Sequence, residues 1–569
     1  MNSFFKTSLV FVLFAIIISC HQESTNIPSP TNTSVTSDSA MVVSARAEAS
    51  KIGLQILKKG GNAFDAMVAT EIALSICYPF AGNLGGGGFM VYREADGAKG
   101  ALDYREKAPL AASKNMYLDA DGNPNPELSR KGSLAVGVPG TLAGMFAVNQ
   151  KLGSLPMSKL LEPSIELAKR GFEVTQKQAE MLNHFQDTFL EVNQDSILYS
   201  NHFKKGDTIK NLALANTLEK IVTHGKSEFY GGPIGEDLVE FLSSYGGIMT
   251  LEDLKNYEAV WRSPIEVDYK DLNIISMPPP SSGGIVLGQI LKMVEDYDLQ
   301  SLGHNSVKYI QILTEAERRA YADRSFYLGD PDFVTIPQDT LLSDAYLSQR
   351  MSDFDFESAT SSEDIKHGEI RMYESDETTH YSIIDQFGNA IAATTTLNGA
   401  YGSKLFSNKL GFLLNNEMDD FSAKPGFPNM FGLIGAEANS IAPGKRMLSS
   451  MTPTIVEKEG NLWMSVGTPG GSTIITSVLQ TILNVKEFNM NMQEAVNAPR
   501  FHHQWLPDEV VFETIGFDSS VLDSLQSKGY HVIQQESKIL GKVDGILQLS
   551  NGKLEGGADQ RGDDTAVGF

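Results

Sequence analysis

Residues 376–398 read DETTHYSIIDQFGNAIAATTTLN. An acidic run ends and Thr378-Thr379 begin a stretch in which THYSIID alternates, FGN supplies a turn and AIAATTTL continues as a second strand. The pattern is a β-hairpin, and threonine is common in strands for its β-branched shape alone. The tract before it, 353–377, holds nine acidic and two basic residues with no sustained period. It reads as exposed and poorly ordered. A neutral threonine hydroxyl is a weak nucleophile and needs a base. A triad is one source, but no GxSxG elbow is present. His380 shares a strand face with Thr378, whereas a triad usually draws its histidine from elsewhere. The other source is the α-amino group of a threonine at a chain end, which titrates near pH ~8. That requires a cut directly before Thr378, and a flexible acidic tract abutting TTH suits such a cut. From this stretch alone, a plain hairpin and a chain end in waiting both stand.

Working outward, SMTPTIVEKEGNLWMSVG reads as a second hairpin around EGN and runs through GTPGGS into the helix TIITSVLQTILNV. Upstream, ARAEASKIGLQILKKGGNAFDAMVATEIALSIC has helical spacing broken at Gly60-Gly61. AGNLGGGGFMVYRE then enters a strand-like run. No Lys-Ser/Thr and no helix follow the glycines, so close backbone packing is a better reading than a nucleotide site. The middle, roughly 140–350, is mostly helical in pattern, interrupted by the loop MPPPSSGG. Strands at both ends with helices between predict layered α/β sheets.

The 569 residues suffice for a large core, and a net charge of −24 argues against a nucleic-acid partner, which needs a basic footprint. MNSFFK followed by SLVFVLFAIII and Ser19-Cys20 reads as a secretory signal over 1–19, too short for a persuasive spanning helix. A cysteine at that place resembles a bacterial lipobox, in which Cys20 is lipidated and becomes the mature N-terminus. Residues 20–40, rich in Ser, Thr and Pro, read as the lipidated cysteine and a disordered tether. The protein is then exported, periplasmic or at the cell surface, and anchored through Cys20. Cys77, the one other cysteine, lies in an apolar helical run and reads as a buried structural thiol.

In order and spacing, DETTHYSIID, ATTTLN, LLNNEMDDFSAKPG, KRMLSSMTPTIV, GTPGGS and NAPRFHHQWLPDE resemble the small subunit of the γ-glutamyltransferases. GGNAFDA, GGGGFM, DYREKAP, VGVPGT and PPPSSGG resemble their large subunit, so the resemblance runs from Met41 to Phe569. It implies the N-terminal nucleophile hydrolase fold, an αββα four-layer sandwich formed jointly by two self-cleaved subunits, 41–377 and 378–569. The cut falls between Glu377 and Thr378, and the two chains stay associated. Freed Thr378 attacks a γ-glutamyl amide such as that of glutathione. The resulting γ-glutamyl ester passes to water, an amino acid or a peptide. No cofactor and no metal are implied.

The resemblance also implies roles. Thr396 hydrogen-bonds the nucleophile. Backbone N–H groups at Gly470 and Gly471 face the oxyanion. Arg105 takes the substrate α-carboxylate with its planar fork, helped by Ser449 and Ser450. Asn398, Glu417 and Asp420 accept from the α-ammonium. KPGFPNMFGLIGAEANSIAPGKR matches the lid loop, with Phe431 where many bacterial members have tyrosine. Met447 replaces a usual proline and Asn83-Leu84 depart from the family's residues, and neither change is expected to touch the catalytic residues. NNEMDD lacks the EF-hand spacing and glycine, and His502-His503 lack further ligands at useful spacing, so metal readings of both are weak. Two alternatives accompany the enzyme reading: an acylase of the same family acting on glutaryl-cephalosporins, and a γ-glutamyl-binding lipoprotein without catalysis.

Overall fold

The computed structural model describes residues 34–365, 378–430, 432–534 and 539–569. The expected signal peptide, the lipidated Cys20, Glu377 of the expected cleavage site and Phe431 of the lid lie outside the described residues.

The alternating stretches become antiparallel strands Thr379–Ile384 and Ala390–Thr396, with Thr379 opposite Thr395 and Ile384 opposite Ala390. Asp385 shapes the turn by accepting from the Phe387 and Asn389 amides, and Gly388 supplies the positive φ of 95°. Every residue of both strands is buried, although alternation ordinarily marks a strand with one wet face.

The cause is their place in the middle of a layered molecule. They belong to a seven-stranded antiparallel sheet ordered Thr565–Gly568, Met41–Ser44, Thr379–Ile384, Ala390–Thr396, Gly87–Arg93, Lys99–Asp103 and Val260–Arg262. A second seven-stranded sheet runs Val35–Ser37, Leu554–Ala558, Asp544–Gln548, Asn461–Gly467, Thr454–Lys458, Leu272–Ser276 and Ile265–Tyr269. Val43, Phe89, Ile275, Ile455 and Ile546 fill the space between the sheets. Helices Ala47–Lys58 and Ala63–Cys77 cover the outer face of the first sheet, and Gly283–Val294, Val307–Tyr327 and Ile474–Phe488 that of the second. This is the expected αββα sandwich. Gly60 at φ 91° ends the first helix, and a reciprocal Asn62–Asp65 capping box starts the next.

Residues 140–350 are mostly helical, as expected, but they also carry strands, and two other local expectations change. Val260–Arg262, Ile265–Tyr269 and Leu272–Ser276 are strands, the second with the buried–exposed alternation of a sheet edge. The tether does not reach residue 40, because Val35–Ser37 pairs with Leu554–Gly556 and Ala40 is fully buried. The acidic tract is docked through Ile365. Trp505 Nε1 donates to the carbonyls of Ser362 and Ile365 at 3.0 and 3.1 Å, and Ser362 N donates to Asp508 at 2.8 Å.

Segments from before residue 366 and after residue 377 interleave in both sheets. Thr379–Ile384 lies against Met41–Ser44, Ala390–Thr396 against Gly87–Arg93, and Thr454–Lys458 against Leu272–Ser276. A cut between residues 365 and 378 is therefore expected to leave one particle. The two fragments should co-elute in size exclusion and part only in denaturant. Separate elution in native buffer would refute the shared core.

Candidate active site

Thr378 stands where the first strand of the central hairpin begins, and Thr396 where its neighbour ends. Both line one cavity, together with Arg105, Asn398, Asp420, Ser449, Ser450 and Gly471. Glu417 adjoins it through Arg105, and Gly470 directly precedes Gly471. The residues singled out within the described chain thus converge from separate parts of the sequence. Two other threonines of the stretch are occupied elsewhere: Thr394 Oγ1 bonds His380 Nδ1 at 2.9 Å, and Thr395 Oγ1 donates to the Gly87 carbonyl at 3.0 Å, while Thr379 Oγ1 is buried with no hydrogen-bond partner among the described residues.

The strand end is pinned from two sides. Asn398 sits in the left-handed region at φ 72°, donates its N–H to Thr396 Oγ1 at 2.7 Å, and donates through Nδ2 to the Asn416 carbonyl at 3.0 Å. Asn83 Nδ2 donates to the Thr396 carbonyl at 2.8 Å and to Thr395 Oγ1 at 3.1 Å, while Thr141 Oγ1 donates to Asn83 Oδ1 at 2.6 Å. This corrects the expectation that Asn83 and Met447, which depart from the family pattern, do not touch the residues assigned to the chemistry. Asn83 holds Thr396, and the Met447 carbonyl accepts from Arg105 Nε at 3.4 Å.

Arg105 leaves the strand Lys99–Asp103 with its carbonyl held by Tyr257 OH at 2.7 Å. Its guanidinium pairs with the carboxylates of Glu417 and Asp420, and Glu106 lies 3.7 Å away. Burial disfavours the Arg105 charge, but Glu417, Asp420 and Glu106 outweigh it and hold its pKa above the ordinary value. Burial likewise pushes Asp420 up to about 6 and Glu106 up to about 8, and raises Glu417 well above the usual range, with Arg105 pulling the other way in each case. Glu417 and Asp420 share the short turn Glu417–Asp420, and Asn429 Nδ2 holds Asp420 at 3.0 Å. Asp419 faces away, accepting from the Met430 N–H at 2.8 Å and from Ser129. With its charges closed on one another, the uncut chain leaves about 20 Å³ of space here, room for one water molecule.

Gly470 and Gly471 have φ of 135° and 51°, and Gly471 begins the short turn Gly471–Thr473 that feeds the helix Ile474–Phe488. Cβ atoms are disfavoured at both positive φ angles, and one at Gly470 would lie 2.5 Å from Thr473 Oγ1. Amides at such a helix start carry no intrahelical partner and face an incoming anion. His380 is buried, lowered to about 3 by desolvation, and held between Thr394 and Ser382. Cys77 is a buried free thiol pushed up to about 12 by burial. His502 is bound on its two ring nitrogens by Thr476 and Gln504.

Arg324 also lines the cavity and carried no signal in the sequence. It lies in YADRSF near the end of the helix Val307–Tyr327, where a lone arginine reads as an exposed face. That helix is buried on nearly every side.

The Gamma-glutamyltranspeptidase family model matches residues 49–569. The glutathione hydrolase proenzyme of Escherichia coli (strain K12) is 46% identical over 534 residues, covering 93% of this chain and 92% of that protein. Among solved structures, the γ-glutamyltranspeptidase of Helicobacter pylori has a TM-score of 0.55 at 44% identity, over 58% of this chain and 96% of that one. The cephalosporin acylase of Bacillus halodurans has a TM-score of 0.84 over 95% of this chain and 98% of that one. At 24% identity, its likeness is one of fold.

The Arg105 cluster has a stability signature. Arg105→Met strands Glu417 and Asp420 in the interior, at a cost of about 3–5 kcal/mol near pH 8. A carboxyl whose folded pKa is raised stabilises the fold below its unfolded value and loses that contribution as pH rises through the folded one. For Asp420, burial has already moved the folded value to about 6, and loss of Arg105 moves it further up. The melting-temperature deficit of Arg105→Met is therefore expected to be large at pH 8 and to shrink toward pH 5. An equal deficit at both would contradict it.

Proposed function

The chain belongs to the γ-glutamyltranspeptidase family, and from that premise we propose how its site works as a self-processing glutathione hydrolase and γ-glutamyltransferase. Thr378 Oγ attacks the Glu377 carbonyl, and the acyl group moves from nitrogen to oxygen. Water hydrolyses the ester, leaving a Glu377 carboxylate on one chain and a Thr378 α-amine on the other. The amine then serves as the base it could not be as an amide. It takes the proton from Oγ as Oγ attacks the γ-carbonyl of the substrate. The oxyanion forms against the Gly470 and Gly471 N–H groups. Collapse expels the remaining peptide as an amine that carries off the proton. Water, or the amine of an amino acid or peptide, then takes the γ-glutamyl group from the ester by the same route.

The single observation that carries the reading is the position of Thr378. It shares one cavity with Arg105, Asn398, Asp420, Ser449 and Ser450 at the mouth of the central hairpin. The charge pattern favours a zwitterionic head group. A substrate α-carboxylate replaces Glu417 and Asp420 at the Arg105 fork, and its α-ammonium satisfies the acids released. The buried charges exchange partners rather than lose them.

This favours a γ-glutamyl over a glutaryl group, which lacks the ammonium. With a γ-glutamyl anilide and its glutaryl counterpart, kcat/KM is expected to be at least about 100-fold higher for the former. Faster glutaryl turnover would make the protein an acylase. Thr378→Ala is expected to run as a single band in denaturing electrophoresis, where the wild type gives two, and to lose hydrolysis by on the order of 10⁴-fold or more. A Thr378→Ala chain that still cleaves would place the scissile bond elsewhere. Uncleaved wild type without activity would favour the binding-protein alternative.

For the N-terminus we propose export and lipid anchoring at Cys20, supported by the apolar run 8–18, the Ser-Cys pair and the polar tract that follows. Among the described residues, no helix is long and apolar enough to cross a membrane. Cys20→Ala is expected to move the protein from the membrane to the soluble fraction. An unchanged distribution would rule the anchor out.

A further inference from the structure

Arg105 has three carboxylates within 4.0 Å of its guanidinium, whereas Arg324, also buried, has none within that distance among the described residues. Burying an arginine without an acid is costly, so its hydrogen bonds and its surroundings carry the explanation. Nη2 donates to Ser450 Oγ at 3.0 Å and Nε donates to Ser282 Oγ at 2.9 Å. Ser282 in turn donates its hydroxyl and its N–H to the Ser449 carbonyl, at 2.8 and 2.7 Å. Both serines of the cavity are thus held from one guanidinium.

The direction of these bonds matters more than their number. A serine hydroxyl has one proton to give and lone pairs that accept. Ser450 Oγ accepts from Arg324. Ser449 Oγ accepts from the Met451 N–H at 3.1 Å. Neither hydroxyl donates to any of the described residues, so each proton is free to point into the cavity. Two O–H donors side by side, backed by a cation, form a receptor for a carboxylate.

We propose that Arg324 is the positioning residue of the α-carboxylate subsite: it fixes Ser450 as a donor, locks the Ser449 loop through Ser282, and finds in the bound carboxylate the counter-charge the fold withholds. This rests on the γ-glutamyl reading above. Burial lowers Arg324 to about 10, so it is still a cation at neutral pH. Asp420 is the carboxylate that most favours its charge, and Tyr321 faces it from its own helix. The loop PPPSSGG gains a purpose here, since its Ser282 carries the link from the helix Val307–Tyr327 to the double-serine segment.

The test compares two anilides on the mature two-chain enzyme, γ-glutamyl and 4-aminobutyryl, the second lacking only the α-carboxylate. Arg324→Met is expected to raise KM for the γ-glutamyl anilide by about 10- to 100-fold with kcat changed less than about 3-fold, and to leave the 4-aminobutyryl anilide nearly unaffected. Combined with Ser450→Ala, the two effects should fall well short of additive. Equal KM changes on both substrates, a fall confined to kcat, or full additivity would overturn the proposal. If Arg324→Met does not mature, Arg324→Lys carries the same comparison, because an ammonium keeps the charge but not the fork. Wild type inactive on the γ-glutamyl anilide would fail the functional reading itself. Wild type active with an indifferent Arg324 would fail this inference alone.

Discussion

The proposed function depends on a strand that can become a chain end without leaving its sheet. Thr379–Ile384 is held by Met41–Ser44 on one side and Ala390–Thr396 on the other. The backbone bonds that keep it there lie beyond Thr378, so hydrolysis of the bond before Thr378 removes none of them. Both edges of the strand are paired and both faces are covered. Under the proposed cut, Thr378 would gain a free amine inside the protein and keep its place to within the tolerance that nucleophilic attack demands.

The site built on this strand end is a set of charges that must be compensated before and after substrate arrives. In the uncut chain, Arg105 is closed on Glu417 and Asp420. Arg324 leans on serine hydroxyls. A head group with one carboxylate and one ammonium supplies partners of both signs. Under the proposed function, specificity for such a head group would follow from the cost of leaving a buried ion alone, a stronger discriminator than the shape of an apolar pocket.

Much of this could be read along the chain. The hairpins at 379–396 and 454–467, the helices on either side of Gly60-Gly61 and the helix after GTPGGS rest on periodicity and turn chemistry, which act over a few residues. The three strands at 260–276 escaped because they are short and sit among long helical patterns. Docking of the acidic tract at Ser362 and Ile365 escaped because Trp505 and Asp508, which hold it, lie more than a hundred residues away. Asn83 looked inert for a similar reason: its partner Thr396 reaches it only through the pairing of Gly87–Arg93 with Ala390–Thr396.

By itself, then, the sequence determined the layered α/β character, the hairpin that begins at Thr378 and, through its ordered motifs, the family and the residue types its chemistry requires. Tertiary structure alone decided which charges meet. Whether an arginine is an exposed face or a buried cation depends on what packs against its helix, and Arg324 and Arg105 look alike until their neighbours are known. Propensity and periodicity are local properties of the chain. Desolvation and charge compensation are properties of a place in space, and that place exists once distant segments have closed around it.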